Sequence, residues 1–366
     1  MVCLLWIGFG VRDDLREDDV FQDLVQERVN LAKASRKEVH IGVVGDWDHH
    51  GAILQGVEVA AEAINAQGGI LGRTIVLDTK DDQGTIEGAL GVAQTFASSP
   101  EMPFVIGHTE EGLNAAVAQN YEFYGLLRIS PNTSDGSASR NAFSLLFENG
   151  PPPQQTGEAI LALAKEKGWT RLGLLYAKND HAMRQARRFE SMANKHGVQV
   201  PLSYGYKGYG TGISMEMGRW NRELDLEAMV LAVHETDIVD LVSGSRGFDI
   251  GCPFIVVGER PAALTPQKAE ELGEMHFIEP TPKGAAYRNF STRFQDRFHH
   301  LPSTDALLGY DALSLLAKGI IKAKSFVPAT VAAVLKDSPV EGSLSGTIRF
   351  DAQGTAVKHP PRFISQ

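Results

Sequence analysis

Between Val57 and Gly84 the chain reads in quick succession as a helix, a glycine turn, a strand and a polar loop. Val57, Ala60, Ala61 and Ile64 recur at helical spacing. Gly68-Gly69 stops that helix, because a glycine adopts the left-handed conformation of a helix end at little cost. Ile70 to Arg73 turn the chain back, Thr74 to Leu77 form a β-branched run, and Lys80-Asp81-Asp82-Gln83 follow as a loop. A helix turned back onto a strand is the unit from which helix-covered sheets are built.

The alternation continues on both sides. Strands are expected at 39–44, 104–106 and 126–130, with helices at 52–66, 86–98 and 113–122. Gly150-Pro151-Pro152-Pro153 is the strongest break in composition, and prolines favour an extended path, so a crossing between lobes is placed there. The pattern then restarts, with strands at 171–176, 228–233 and 254–257 and helices at 158–167, 183–196 and 236–243. Gly205 to Gly212 reads as a loop. Two halves that each repeat strand, helix and strand imply an α/β fold of two similar lobes, without a visible sequence repeat between them. A chain of 366 residues is long enough for two cores, and 43% hydrophobic with 22% charged residues is the balance of a soluble globular protein.

A net charge of -10 argues against nucleic-acid binding, which wants a basic face. Cys3 and Cys252 lie too far apart to suggest a metal site or a disulfide framework. Residues 1–37 stand apart. Val2 to Phe9 is apolar but too short to span a membrane, and residues 12 to 37 are highly charged with a rough helical stripe. This segment is either the remnant of an anchor with a stalk helix or a terminus packed on the body.

The stretch Ala63-Ile64-Asn65, Gly68-Gly69-Ile70, Gly72 and Asp81-Asp82 resembles a signature of the branched-chain amino-acid binding proteins, the type I periplasmic binding protein family. Tyr287 to Phe294, Leu308-Gly309-Tyr310-Asp311-Ala312 and Gly342 to Asp351 resemble later helices and a hairpin of the same family. The resemblance covers roughly residues 39 to 360. It implies two lobes joined by three crossovers, each lobe a mostly parallel sheet flanked by helices, with lobe 1 at 38–149 plus 281–343 and lobe 2 at 150–280 plus 344–366.

Open parallel sheets bind ligands beyond the carboxyl ends of their strands. The loops so nominated are Asp46 to His50, His108 to Glu111 and Asn132 to Asp135 in lobe 1, and Tyr176 to His181, His234 to Asp237 and Glu259-Arg260 in lobe 2. By resemblance, Ser130-Pro131-Asn132-Thr133-Ser134 supplies hydroxyls and N–H groups to a ligand carboxylate. The loop Gly107-His108-Thr109-Glu110-Glu111 departs from the family, where hydroxyl residues are usual. Glu110 and Glu111 either complement a helix start in solvent or meet a cationic ligand. A family tyrosine falls at His181, which is either a ligand contact or a surface residue. Glu259 would pair with a ligand ammonium, whereas Arg260 in that place would favour an anion. Trp47 is either an apolar or cation–π wall or a packing residue.

Enzyme motifs are missing. There is no G-x-S-x-G or P-loop, Gly205 to Gly212 lacks Rossmann spacing, and the histidines and carboxylates have no metal-ligand spacing. No catalytic residue, cofactor or metal is expected. By resemblance the chain is an extracytoplasmic or periplasmic solute-binding protein. It would capture a small polar ligand, an amino acid or related zwitterion or amine, between two lobes for a membrane ABC permease. The alternative is a ligand-sensing domain of the same fold, tethered at its N-terminus to a signalling partner in the membrane.

Overall fold

The computed structural model describes residues 22–109, 113–131, 143–150, 153–178, 180–208, 210–233, 235–248, 250–257, 261, 263–278, 284–357 and 363–365. In chain order the elements are α1 (22–33), β1 (Glu38–Gly45), α2 (Trp47–Asn65), β2 (Thr74–Asp81), α3 (Ile86–Ala97), β3 (Phe104–Ile106), α4 (Asn114–Phe123), β4 (Leu127–Ser130) and β5 (Leu146–Glu148). Next come α5 (Pro153–Lys167), β6 (Arg171–Ala177), α6 (Asp180–Lys195), β7 (Gln199–Tyr206), α7 (Thr211–Leu224), β8 (Ala228–Ala232), α8 (Glu235–Arg246), β9 (Phe254–Val256), α9 (Pro266–Leu272) and β10 (Met275–Ile278). The chain closes with α10 (Ala285–Phe298), α11 (Thr304–Ala323), α12 (Pro328–Asp337), β11 (Val340–Ser343), β12 (Gly346–Phe350), β13 (Ala356–Val357) and β14 (Phe363–Ser365).

Two compact units result, dividing between Pro152 and Pro153, between Thr281 and Pro282, and between Lys358 and His359. Unit 1 holds a five-stranded parallel sheet in the order β2-β1-β3-β4-β5. Alternate residues of each strand face opposite sides. Ile41, Val43, Phe104, Ile106, Leu127 and Ile129 meet the core under α2, α11 and α12. Val44 and Val105 meet Ala89, Phe96, Val117 and Tyr121 of α3 and α4 on the other side. Unit 2 repeats the plan in the order β14-β10-β9-β8-β6-β7, parallel except for β14. Its two cores lie under α7 to α9 and under α5 and α6.

The returning helix α11 is fixed against α2 by a reciprocal close approach. A Cβ on Gly56 would lie 1.9 Å from the carbonyl oxygen of Ala306, and one on Gly309 would lie 2.1 Å from that of Ile53. The obstacles are backbone atoms, so neither can move aside as a side chain would. Asp311, wholly buried on α11, accepts the N–H groups of Leu344 (2.6 Å) and Ser345 (2.9 Å). Phe350 packs edge-on against Phe147 at 4.9 Å. These contacts keep the β11–β13 sheet in unit 1, so the chain leaves that unit after the hairpin and not at residue 344. A second difference lies at 205–212, where β7 continues to Tyr206 and α7 already begins at Thr211.

Helix α1 is packed on unit 1, which settles residues 22–33 against an extended stalk. The Arg28 side chain, 1% exposed, donates to the carbonyls of Met102 (3.0 Å), Ala97 (2.6 Å), Ser99 (3.0 Å) and Tyr124. Those oxygens mark the end of α3 and the approaches to β3 and β4. Burial lowers the guanidinium to about 10, still charged at neutral pH. Arg73 adds bonds to the carbonyls of Ala32 (3.0 Å) and Ala34 (2.6 Å) while lying over the Phe326 ring at 3.8 Å. Among the described residues no helix is long and apolar enough to cross a membrane.

Two outcomes are expected in urea denaturation. Gly309→Ala should cost about 2 kcal/mol or more by forcing α2 and α11 apart, whereas Gly51→Ala, whose Cβ would meet nothing within 4 Å, should be neutral. Arg28→Met should cost about 3 kcal/mol by stranding four carbonyls. Arg28→Lys should fall between, since an ammonium cannot span all four.

Candidate functional site

Strand order reverses between β1 and β3 in unit 1, where the chain runs β1 to β2 on one side and on through β3 on the other. At such a reversal the loops leave in opposite directions and a crevice opens beyond the carboxyl ends. Gly45-Asp46-Trp47 and Gly107-His108-Thr109 flank it. In unit 2 the reversal lies between β6 and β8, beside Tyr176-Ala177 and Val233.

The unit 1 rim is sewn together by polar side chains. The backbone N–H of Asp46 donates to Thr109 Oγ1 (3.0 Å), and that of Asp82 donates to the Gly45 carbonyl (3.2 Å). Asp46 accepts the Asp48 N–H at 3.2 Å as the N-cap of α2, and its other oxygen lies 2.7 Å from His49 Nδ1. Burial alone would raise the Asp46 carboxyl. The His49 ring and the N–H groups of His49 and Asp48 outweigh it and hold the carboxyl below its usual range. His50 breaks the helical path of α2 and reaches Asp305 at the start of α11, 3.3 Å away.

Beneath the rim lies a buried polar cluster. His108 is wholly buried, with Nδ1 2.5 Å from Asp82 Oδ2 and Nε2 3.0 Å from the Tyr121 hydroxyl. The Arg128 guanidinium sits 5.7 Å from the Tyr121 ring centroid, and its charge is further offset by Glu148, also buried. Desolvation pushes the His108 imidazole down to about 4, the Asp82 bond opposes this, and the Arg128 charge adds to it. The ring is therefore neutral at pH 7. A carboxylate can only accept, so the hydrogen-bond pattern assigns the proton to Nδ1, and Nε2 accepts from Tyr121. Burial likewise pushes the Tyr121 phenol up, keeping it a donor.

This geometry sorts the residues nominated from sequence. His108 does not offer its ring to a ligand; both nitrogens are spent inside unit 1. Thr109, 1% exposed, stands at the rim with its hydroxyl oxygen holding Asp46. Trp47 begins α2, and its ring lies over Gly45, where a Cβ would come within 2.7 Å of it. Its indole N–H is buried without an acceptor. Tyr176 is the next-to-last residue of β6, with its ring against Gly205 of β7. His181 lies in the first turn of α6. Glu110, Glu111, Asn132, Thr133, Ser134, His234, Glu259 and Arg260 lie outside the described residues. No group of three or more metal-ligating side chains occurs among the described residues.

Sequence reasoning missed Tyr121, Arg128 and the role of Asp82. Arg128 carried a signal, a charge within the apolar run Leu126-Leu127-Arg128-Ile129. Tyr121 carried none, since its partner is brought up by tertiary packing alone.

A pH dependence of stability follows. His108 binds its proton more weakly in the folded chain (about 4) than when unfolded (6.5), so the unfolded state takes up more protons between these values. This contribution is neutral above pH 6.5 and destabilises progressively as pH falls to 4, by about 3 kcal/mol in all. Urea midpoints of the wild type between pH 7 and 4 should fall more steeply than those of His108→Asn.

A family model described as "Periplasmic binding protein" matches residues 42–365. The Leu/Ile/Val-binding protein homolog 1 of Brucella abortus (strain 2308) is 24% identical over 338 residues, 86% of this chain and 86% of its own. An ABC transporter substrate-binding protein from Desulfitobacterium hafniense, solved in complex with Leu, shares 26% identity at a TM-score of 0.75, covering 90% of this chain and 100% of its own. The branched-chain amino acid transporter substrate binding protein LivJ from Streptococcus pneumoniae, in complex with isoleucine, has the same fold at a TM-score of 0.73 and 22% identity over 90% of this chain and 100% of its own. On the extent of the family match, this chain belongs to the periplasmic binding protein family, a family of binding proteins and not of enzymes.

Proposed function

We propose that the protein is an extracytoplasmic solute-binding component of an ABC transporter of the branched-chain amino-acid type, and that its ligand is an amino acid or a related zwitterion or amine. The observation that carries this reading is the match over 90% of the chain to a substrate-binding protein holding leucine. The strand reversals in both units agree with it, since each places a crevice beyond strand ends where a small ligand can be met. In unit 1 the ligand would lie against Thr109 and Trp47 and the loop after β4. In unit 2 it would lie beyond Tyr176. Ser130 and Pro131, both buried at the end of β4, begin the loop whose residues Asn132, Thr133 and Ser134 are proposed to bind a carboxylate.

Leucine, isoleucine and valine are the first compounds to test, but His108 alters the rim. With a turned-in imidazole where small hydroxyl side chains are usual, the rim offers fewer donors to a carboxylate. Residues 22–33 are docked on unit 1 and do not form an extended stalk, and delivery to a permease is the reading preferred over a membrane-tethered sensor.

Isothermal titration of the purified protein against amino acids, amines and short organic acids at pH 7.5 tests the reading. A saturable one-to-one isotherm with at least one amino acid or zwitterion is expected. Thr109→Val should weaken it about tenfold by removing the acceptor that fixes the Asp46 loop. Binding confined to organic acids without an amine would replace the ligand class.

A further inference from the structure

The cluster under the rim is more than filling. His108 is one residue from Thr109, whose hydroxyl holds the β1 loop, and its ring is the point where three other segments meet it. Asp82 reaches it from the loop after β2, Tyr121 from α4, and Arg128 lies beside it from β4, faced in turn by Glu148 of β5. The His108 carbonyl also takes the Ser130 hydroxyl at 3.5 Å. We propose that His108 is a positioning residue for the ligand rim of unit 1, and that protonation of its ring loosens the rim and releases ligand in acid. The proposal rests on the binding function argued above.

The chemistry works through charge and donor count. The neutral ring donates at Nδ1 to a carboxylate and accepts at Nε2 from a phenol, so every polar atom of the trio is matched. A second proton turns Nε2 into a donor aimed at the Tyr121 hydroxyl, which must turn its own hydrogen away. The added charge sits in a buried site near Arg128, with Asp82 as the bonded carboxylate that offsets it. At about 4 the site resists that proton until the surroundings are strongly acidic. Relief comes from moving the ring toward water, and the ring carries Thr109 with it, which breaks the 3.0 Å bond to Asp46 N–H. The loops beyond β1 and β3 then lose their mutual position at the rim while the strands themselves remain paired.

The test uses the full chain with leucine, or the best-bound amino acid at pH 7.5, as probe. Affinity is measured by titration calorimetry from pH 8 to 3.5. Expected is a plateau down to about pH 5, a loss of about twofold at pH 4 and about fourfold at pH 3.5, as the neutral fraction of a ring titrating at about 4 declines. His108→Asn keeps an amide donor for Asp82 without a titrating group and should flatten the profile. Tyr121→Phe keeps the ring but removes the donor to Nε2, and should move the break toward neutral pH. Long-range proton–nitrogen NMR of histidine-labelled wild type should show a neutral Nδ1–H ring for His108 at pH 7, and this needs no variant to fold. An unchanged wild-type affinity at pH 3.5, the same acid loss in His108→Asn, or a charged or Nε2–H ring at pH 7 each overturns the proposal alone. Failure of every amino acid to bind at pH 7.5 overturns the binding function, and the proposal with it.

Discussion

The contact on which unit 1 depends is the backbone-to-backbone seam of α2 and α11. Helix α2 belongs to the first quarter of the chain and α11 to the last, and a glycine from each lets the other's carbonyl come close. Everything else on that face of the sheet takes its place from this spacing. Leu313, Leu316 and Ile320 of α11 fill the core over β1, β3 and β4, and Asp311 hangs the late hairpin from the same helix. A chain that must leave a unit and return to it needs a strong marker for the return. Two glycines facing main chain give one that a slip of a single residue would destroy.

The two ends of the strands are treated differently. At the amino ends, one arginine in each unit gathers several backbone carbonyls. Arg28 does this in unit 1, and Arg246 does it in unit 2, bonding to Leu272, Ile250 and Cys252 while lying over Phe254 at 4.9 Å. A guanidinium cannot change its charge at ordinary pH and its planar donors suit several oxygens at once, so these ends are rigid. At the carboxyl ends of unit 1, hydrogen bonds run through histidines: His49 with Asp46, His50 with Asp305 and His108 with Asp82. Histidine–carboxylate pairs occur elsewhere too, at His40 with Asp78 and at His276 with Glu274.

Much of the fold was legible because its signals are local. The helix–glycine–strand stretch, the alternation and the proline break each depend on a few neighbouring residues. Gly68 and Gly69 do take positive φ (96° and 76°), and Gly69 N–H closes the helix onto the Ile64 carbonyl. What sequence left hidden was tertiary. His108 stood in a nominated loop, and nothing in its neighbours told whether the ring turned toward solvent or toward Tyr121. The β11–β13 sheet stayed with unit 1 because of a carboxylate on α11, far away in sequence. Helix α1 carries the amphipathic stripe of a packed helix, but only Arg28's four carbonyl partners say where it packs. Residue type nominated loops in unit 1; packing decided that the His108 ring turned inward there.

Asn65, within the early helix–glycine–strand signature, ties the end of α2 to β2. Its amide donates to the Ile75 carbonyl at 3.0 Å and accepts the Ile75 N–H at 2.8 Å. Thr74 and Asp82 turn their N–H groups toward β1, so Ile75 faces the open side of β2, which is the edge of its sheet. An unoccupied edge is a template on which another extended chain can assemble. Here one side chain imitates a neighbouring strand for a single peptide, filling at once the donor and acceptor that an intruder would use. The asparagine that ends a helix thus also blunts one peptide of an exposed sheet edge.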